Sequence, residues 1–185
     1  THYPPGNGYD YMLQAVSDFE AKHHGLHYSP DEIIMTVGAT ESLFIAFSTI
    51  LNPGDEVIIP TPAFGLYESI VQLCRGVPVF LPTEKNKFQI DPQALKAAIT
   101  PKTKALIMPY PCNPTGGIME RADLEAIAAV LRDTNILVIS DEIYAELTFG
   151  GQRHVSPASI PGMWERTVTV NGFSKAFSMT GWRLG

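Results

Sequence analysis

The chain is poor in cysteine, has no stretch long and apolar enough to cross a bilayer, carries no stripe of basic residues and contains no low-complexity tract. Each shortage removes a class of function. Only Cys74 and Cys112 occur, far apart and outside metal-ligand spacing, and neither has a histidine and an acid in a recognisable nucleophilic arrangement. A reduced, cytoplasmic protein is the expectation. The longest apolar stretch, near Leu43 to Leu51, is interrupted by Ser48 and Thr49 and is too short for a membrane span, and no signal peptide precedes it. The net charge of −6 comes from dispersed acids, which argues against nucleic acid or an anionic membrane as the main partner. A small anion held by local cations and helix ends stays possible. Neither the Gly-x-x-x-x-Gly-Lys-Ser/Thr nor the Gly-x-Gly-x-x-Gly spacing is present, which counts against nucleoside triphosphates and dinucleotides.

What is present is a core-forming chain. Of its 185 residues 45% are hydrophobic, enough for one sizeable compact unit. Short β-branched runs alternate with longer helical patterns, the mark of a parallel sheet covered by helices, so the fold class is α/β with a three-layer α/β/α arrangement and a mostly parallel sheet. Helices are expected from about Asp10 to His24, Glu41 to Leu51, Phe64 to Cys74, Asp91-Pro92 to Ile99 and Arg121 to Arg132. Strands are expected at Glu32 to Val37, Glu56 to Ile59, Val77 to Leu81, Ala105 to Met108, Ile136 to Ile139 and Thr167 to Val170. The continuous apolar runs at 105–108 and 136–139 suit central strands buried on both faces. The opening Thr1-His2-Tyr3-Pro4-Pro5-Gly6-Asn7-Gly8 looks like an internal turn and Trp182-Arg183-Leu184-Gly185 like the approach to another strand, so both ends read as cut from something longer.

In such sheets ligands collect beyond the carboxyl ends of the strands. After the first strand, Gly38-Ala39-Thr40 opens a helix, where close backbone approach and the positive helix end suit a phosphate; an ordinary strand-to-helix turn reads as well. After the second, Pro60-Thr61-Pro62-Ala63 delivers Phe64, either a stacking platform for a planar ring or a core aromatic. After the apolar strand at 105–108, three prolines and two glycines between Pro109 and Gly117 make a rigid loop able to aim the Asn113 amide, though turn chemistry alone also explains it. The run Ile136-Leu137-Val138-Ile139 leads into Ser140-Asp141-Glu142-Ile143-Tyr144. A carboxylate emerging there is costly to bury alone, so Asp141 calls for a cation or donor. A protonated ring nitrogen, a helix cap or a pairing with Arg183 would each satisfy it. Tyr144 can bond to the same ligand.

Lys175 then gives these demands a common answer. A lysine attacks a carbonyl only as the free amine, so its neighbours decide its meaning. Here Ser174 precedes it, Ser178 and Thr180 follow, and Arg183 is placed to neutralise an anion beside the same amine. The grouping suggests a phosphate-bearing aldehyde.

Gly172-Phe173-Ser174-Lys175 through Met179-Thr180-Gly181-Trp182-Arg183-Leu184-Gly185, with Asn113-Pro114-Thr115-Gly116 and Asp141-Glu142-Ile143-Tyr144 in that order, resembles the large domain of the class I aminotransferases, pyridoxal-phosphate enzymes of fold type I. The resemblance covers essentially all 185 residues and is greatest to the bacterial aspartate, aromatic and broad-range subgroup. It implies that Lys175 forms a Schiff base with pyridoxal phosphate and then shuttles the substrate proton, that Asp141 keeps the ring nitrogen protonated, and that Asn113 and Tyr144 bind the phenolic oxygen. It implies that Phe64 stacks on the ring and that Gly38, Ala39, Thr40, Ser174 and Arg183 hold the phosphate. Gly172 stands where many relatives carry a serine. Tyr3 matches a tyrosine that reaches the phosphate of a neighbouring subunit, which implies a homodimer with shared sites. The family's small domain and its carboxylate-binding arginine fall outside 1–185, so this stretch forms an incomplete cofactor-binding domain. The implied reaction passes an amino group from an L-amino acid to a 2-oxo acid. A carbon–sulfur β-lyase and the cofactor-sensing domain of a transcriptional regulator share the same lysine and acid.

Overall fold

Five parallel strands make the sheet, in the order β2-β1-β3-β4-β5, in a computed structural model that describes residues 3–185. The strands are β1 (Glu56–Thr61), β2 (Val77–Pro82), β3 (Thr103–Met108), β4 (Leu137–Asp141) and β5 (Thr167–Val170). The helices are α1 (Asp10–His24), α2 (Ala39–Ile50), α3 (Leu66–Leu73), α4 (Pro92–Ala98), α5 (Arg121–Leu131) and the short α6 (Phe173–Ala176). Strand β3 is central, and Ala105, Leu106, Ile107 and Met108 are all buried, as its unbroken apolar run predicts.

Alternating side chains feed two cores, one on each face. Ile58, Leu106, Met108 and Val138 pack with Leu95 of α4 and with Leu124, Ile127 and Leu131 of α5. Val57, Ile59, Ala105, Ile107, Ile139 and Val170 pack with Leu43 and Phe47 of α2 and with Tyr67, Ile70 and Val71 of α3. Three layers result. Local chemistry sets the helix ends: the Asp91 carboxylate accepts from the Ala94 amide at 2.8 Å ahead of Pro92, and Gly25 closes α1 in the left-handed conformation at φ 69°.

The segment expected as a strand at Glu32 to Val37 does not form one. It runs extended after a single 3-10 turn at Pro30–Glu32. Its one pair of ladder bonds joins Thr36 and Gly185, each amide donating to the other's carbonyl, at 2.7 and 3.0 Å. Such a reciprocal exchange is the hydrogen-bonded pair of an antiparallel ladder, and one pair is too few to make a strand. Between this segment and β5 lies a cavity of about 760 Å³, lined among others by Ile33, Met35, Ile45, Val168 and Phe173. At the start of the described chain, the Gly8 amide donates to Pro5 in a turn, as expected there; Thr1 and His2 lie outside the described residues. No helix among the described residues is long and apolar enough to cross a membrane.

Candidate active site

The carboxyl ends of β1, β3, β4 and β5, with the start of α2, carry the candidate residues. Beside α2 the backbone turns at Gly38 with φ 76°, a conformation that favours glycine. A second reason for glycine is steric. A β-carbon there would sit 2.3 Å from Nη2 of Arg183. The guanidinium therefore lies flat against the start of α2, beside the Ala39 and Thr40 amides that have no acceptor within the helix. Arg183 Nη1 donates to Ser174 Oγ at 3.4 Å and to the Thr180 carbonyl at 2.9 Å. Gly38, Ala39, Thr40, Ser174 and Arg183, from opposite ends of the sequence, thus form one cationic cradle at a helix N-terminus. Arg183 is not the partner of Asp141.

Asp141 ends β4 and is only 6% exposed. Its two donors are the hydroxyl of Tyr67, 2.7 Å from Oδ2, and the Ile143 amide, 3.2 Å from Oδ1. Burial pushes the carboxyl above its ordinary range, while those two hydrogen bonds pull it back. Burial and the neighbouring Asp141 carboxylate push the Tyr67 phenol far up, so it remains a donor. Tyr67 was not singled out by sequence reasoning, because an aromatic on the inner face of an amphipathic helix reads as core. It is core, packed with Ile70 and Val71, and its hydroxyl reaches beyond it. Phe64, 46% exposed, meets the Tyr67 ring edge-on at 6.0 Å. The helix begins at Leu66, so Phe64 stands just ahead of it rather than in its first turn.

Lys175 is the third residue of α6 and exposed, with Nζ 5.4 Å from the centroid of the Tyr144 ring. Tyr144 and Asn113 line a common cavity of about 440 Å³ with Cys112, Pro114 and Phe149. The Asn113 loop is closed on itself by reciprocal bonds, Gly116 amide to Cys112 carbonyl at 2.7 Å and Cys112 amide to Gly117 carbonyl at 2.9 Å. Tyr3 is fully exposed and stands apart from these residues within the chain.

The cradle has the charge and free amides to suit a dianion, the buried Asp141 has the character of a partner for a positive donor, Phe64 presents an exposed aromatic face, and Lys175 lies near Tyr144, which shares a cavity with Asn113. Those donor types fit a phosphorylated pyridine aldehyde. The α/β sheet and this set of side chains define the cofactor domain of a pyridoxal-phosphate enzyme of fold type I.

Comparison with known proteins agrees. The aminotransferase class I and II family profile matches residues 1–185. An aspartate aminotransferase from Pyrococcus abyssi is 46% identical over the whole chain, which covers 48% of that protein. The crystal structure of an aromatic aminotransferase from Pyrococcus horikoshii superposes with a TM-score of 0.96 at 45% identity, covering all of this chain and 50% of that one. The aspartate aminotransferase from Rhizobium meliloti superposes with a TM-score of 0.97 at 39% identity, with 47% of its chain covered. The chain belongs to the class I and II aminotransferase family, and it spans about half the length of the curated relatives it matches.

Proposed function

We propose that the whole protein transfers an amino group between an L-amino acid and a 2-oxo acid with pyridoxal phosphate as cofactor. What supports this reading is the buried carboxylate Asp141, paired through β4 with Val170 at the end of the strand that leads into the lysine turn, together with Arg183 donating to Ser174 beside Lys175. Pyridoxal phosphate supplies the aldehyde that captures an amine and the ring that takes up the electron pair left when the substrate's Cα proton departs. The chain's residues supply the rest. Arg183, Ser174 and the first amides of α2, at Ala39 and Thr40, bind the phosphate and fix the ring's position. Asp141, kept polarised by Tyr67, holds a proton on the ring nitrogen. Asn113 and Tyr144 bind the phenolic edge, and Phe64 covers one ring face and excludes water from it. Lys175 Nζ would hold the cofactor's aldehyde group and, as the free amine, would serve as general base and acid for the substrate's Cα proton.

Further parts of the reading concern the assembly. The exposed Tyr3 supports a homodimer in which it reaches the partner's phosphate site. Two free cysteines, Cys74 and Cys112, support a cytoplasmic location. The antiparallel pair of Thr36 and Gly185 supports a further strand continuing from Gly185 into the cavity beside β5, and a small domain supplied by residues outside 1–185. Relatives named for aspartate, aromatic amino acids and N-acetyl-LL-diaminopimelate are similar to nearly the same degree, at 46%, 42% and 43% identity. That evenness supports specificity being decided outside this stretch. The test is a visible absorbance band in full-length protein reconstituted with pyridoxal phosphate. The band is expected to shift on adding an amino acid and to be lost in Lys175→Ala. Wild-type protein without such a band overturns the reading.

A further inference from the structure

Behind the site, between α1 and the segments that carry Asp141 and Lys175, lies a buried polar cluster that the proposed reaction does not use. Glu20 of α1 is 5% exposed, and Glu142, next to Asp141, is fully buried. Glu142 Oε1 accepts from Ser156 Oγ at 2.7 Å, and Oε2 meets Nε2 of His154. The His154 ring meets that of His24 edge-on at 5.7 Å. His24 Nε2 lies 3.2 Å from Glu146 without hydrogen-bond geometry. An acid in the middle of such a cluster is costly unless it has work to do, because an apolar residue of similar size avoids the desolvation.

The bonds of Glu20 show what that work is. Its Oε1 accepts from Nδ2 of Asn171 at 3.3 Å, and the other end of the same amide, Oδ1, accepts from the Gly172 backbone N–H at 2.8 Å. Gly172 is the residue from which α6 starts, and it has little freedom to move. A β-carbon there would be 3.1 Å from both Ile143 and the Leu184 carbonyl. The Asn171 amide is thereby clamped at both ends, one on a long helix and the other on the peptide ahead of the lysine turn. Glu20 Oε2 has no partner among the described residues. We propose that Glu20 is a positioning residue for Lys175, acting from α1 through Asn171 to fix the peptide on which the lysine turn is built.

The protonation of Glu20 makes this link pH-dependent. Burial, then the Glu142 carboxylate, raises its pKa to about 7, with Glu146 adding to the rise and Asn171 and His154 opposing it. The groups facing it are Glu142 from the end of β4, Glu146 from the following turn, His154 from the loop before Ser156, Asn171 from the end of β5, Tyr28 from the segment after α1 and, on α1 itself, His24. Below that point a neutral carboxyl offers Oε1 to Asn171. Above it the carboxylate is the stronger acceptor for the Asn171 amide, whose hydrogen bond pulls the Glu20 pKa down, and the clamp tightens.

This inference rests on the reading of Lys175 as the cofactor-binding lysine, and the tests separate the two. Pyridoxal phosphate affinity of the full-length protein is measured by absorbance and fluorescence between pH 6 and 9, with the thermal midpoint of cofactor-free protein followed in parallel. Glu20→Gln keeps the acceptor without the titration. It is expected to bind as wild type at pH 6, and to lack the several-fold strengthening that wild type gains relative to it on passing from pH 7 to 8.5. Glu20→Leu, checked as folded by circular dichroism, is expected to bind several-fold more weakly at every pH, and Asn171→Ala likewise. The double variant Glu20→Leu/Asn171→Ala should lose no more than either single, since both act through one link. Folded Glu20→Leu that binds as wild type, or additive losses in the double variant, overturns the proposal. Should Glu20→Leu fail to fold, an unchanged pH profile in Glu20→Gln overturns it alone. Failure of wild type to bind pyridoxal phosphate contradicts the reading of the site instead, while the pH-dependence of the thermal midpoint still reports the buried acid.

Discussion

Tyr67 donates to Asp141 Oδ2 at 2.7 Å, and among the described residues the one other donor to that buried carboxylate is the Ile143 amide. A helix of the sheet's cover thus presets the acid before any ligand arrives. Tyr67→Phe keeps the ring packing and removes one donor to a charged group, so a loss of about 1.5–3 kcal/mol is expected from urea unfolding near neutrality. Burial raises the Asp141 pKa, so the ionised form that needs this donor is populated only above it. The loss should therefore shrink as pH is lowered through that pKa.

Replacing the acid itself tests its electrostatic role. Asp141→Asn in the full-length protein is isosteric and removes a buried charge, so the fold should hold. The transamination rate is expected to fall roughly 10²–10³-fold, the scale for removing one preorganised electrostatic partner. Single-turnover absorbance changes with a saturating amino acid separate this from weakened cofactor binding.

The phosphate cradle makes a paired prediction. Arg183→Gln removes charge-assisted hydrogen bonds worth about 1.5–3 kcal/mol, hence a roughly 10–100-fold weaker hold on pyridoxal phosphate. Gly38→Ala should give a similar loss without touching the charge, because the new methyl occupies the space of the Arg183 guanidinium and the φ of 76° disfavours a side chain. Equilibrium dialysis of the cofactor measures both.

Stability should carry the signature of Glu20. Its pKa rises from 4.5 unfolded to about 7 folded, so the folded state binds the extra proton, and the stabilisation present below about pH 4.5 is lost as pH climbs to 7. At 1.36 kcal/mol per pH unit this amounts to roughly 3 kcal/mol across that window. His24 runs the other way: burial lowers its pKa from 6.5, so its contribution is present above 6.5 and lost as pH falls. The difference between wild type and Glu20→Gln in urea midpoints, taken from pH 4.5 to 8, isolates the first effect.

The piece formed by residues 1–185 alone is expected to bind cofactor poorly and turn over little. The cavity of about 760 Å³ beside β5 leaves apolar residues such as Val168, 42% exposed, facing water. Dye binding to exposed apolar surface, compared with the full-length protein, measures this, and robust transamination by the piece alone contradicts it.

Much of this arrangement is legible in the sequence where one residue's environment is local. The 15-residue α1 and β5 at Thr167–Val170 have the bounds their periodicity predicts, and the buried runs in β3 and β4 announce a parallel sheet. The strand expected at Glu32 to Val37 fails because β-branched and apolar composition predicts an extended conformation but not a partner, and the isolated bonds of Met35 to Asn7 and of Thr36 with Gly185 do not make a ladder. Lys175, Arg183 and Gly38 stand out by chemistry and spacing. Tyr67, Glu20 and His154 do not, since each lies in a pattern that burial or solvation already explains. Their meaning arises from contacts between segments that the linear order keeps apart.

The packing of Arg183 on Gly38 joins the start of α2 to the last residues of the described chain at a single spot, and a phosphate held there would rivet them together. Anything that binds only the folded form raises its stability by mass action. Cofactor bound at this spot would then slow the opening of both segments, so resistance to limited proteolysis is expected to rise when pyridoxal phosphate is added.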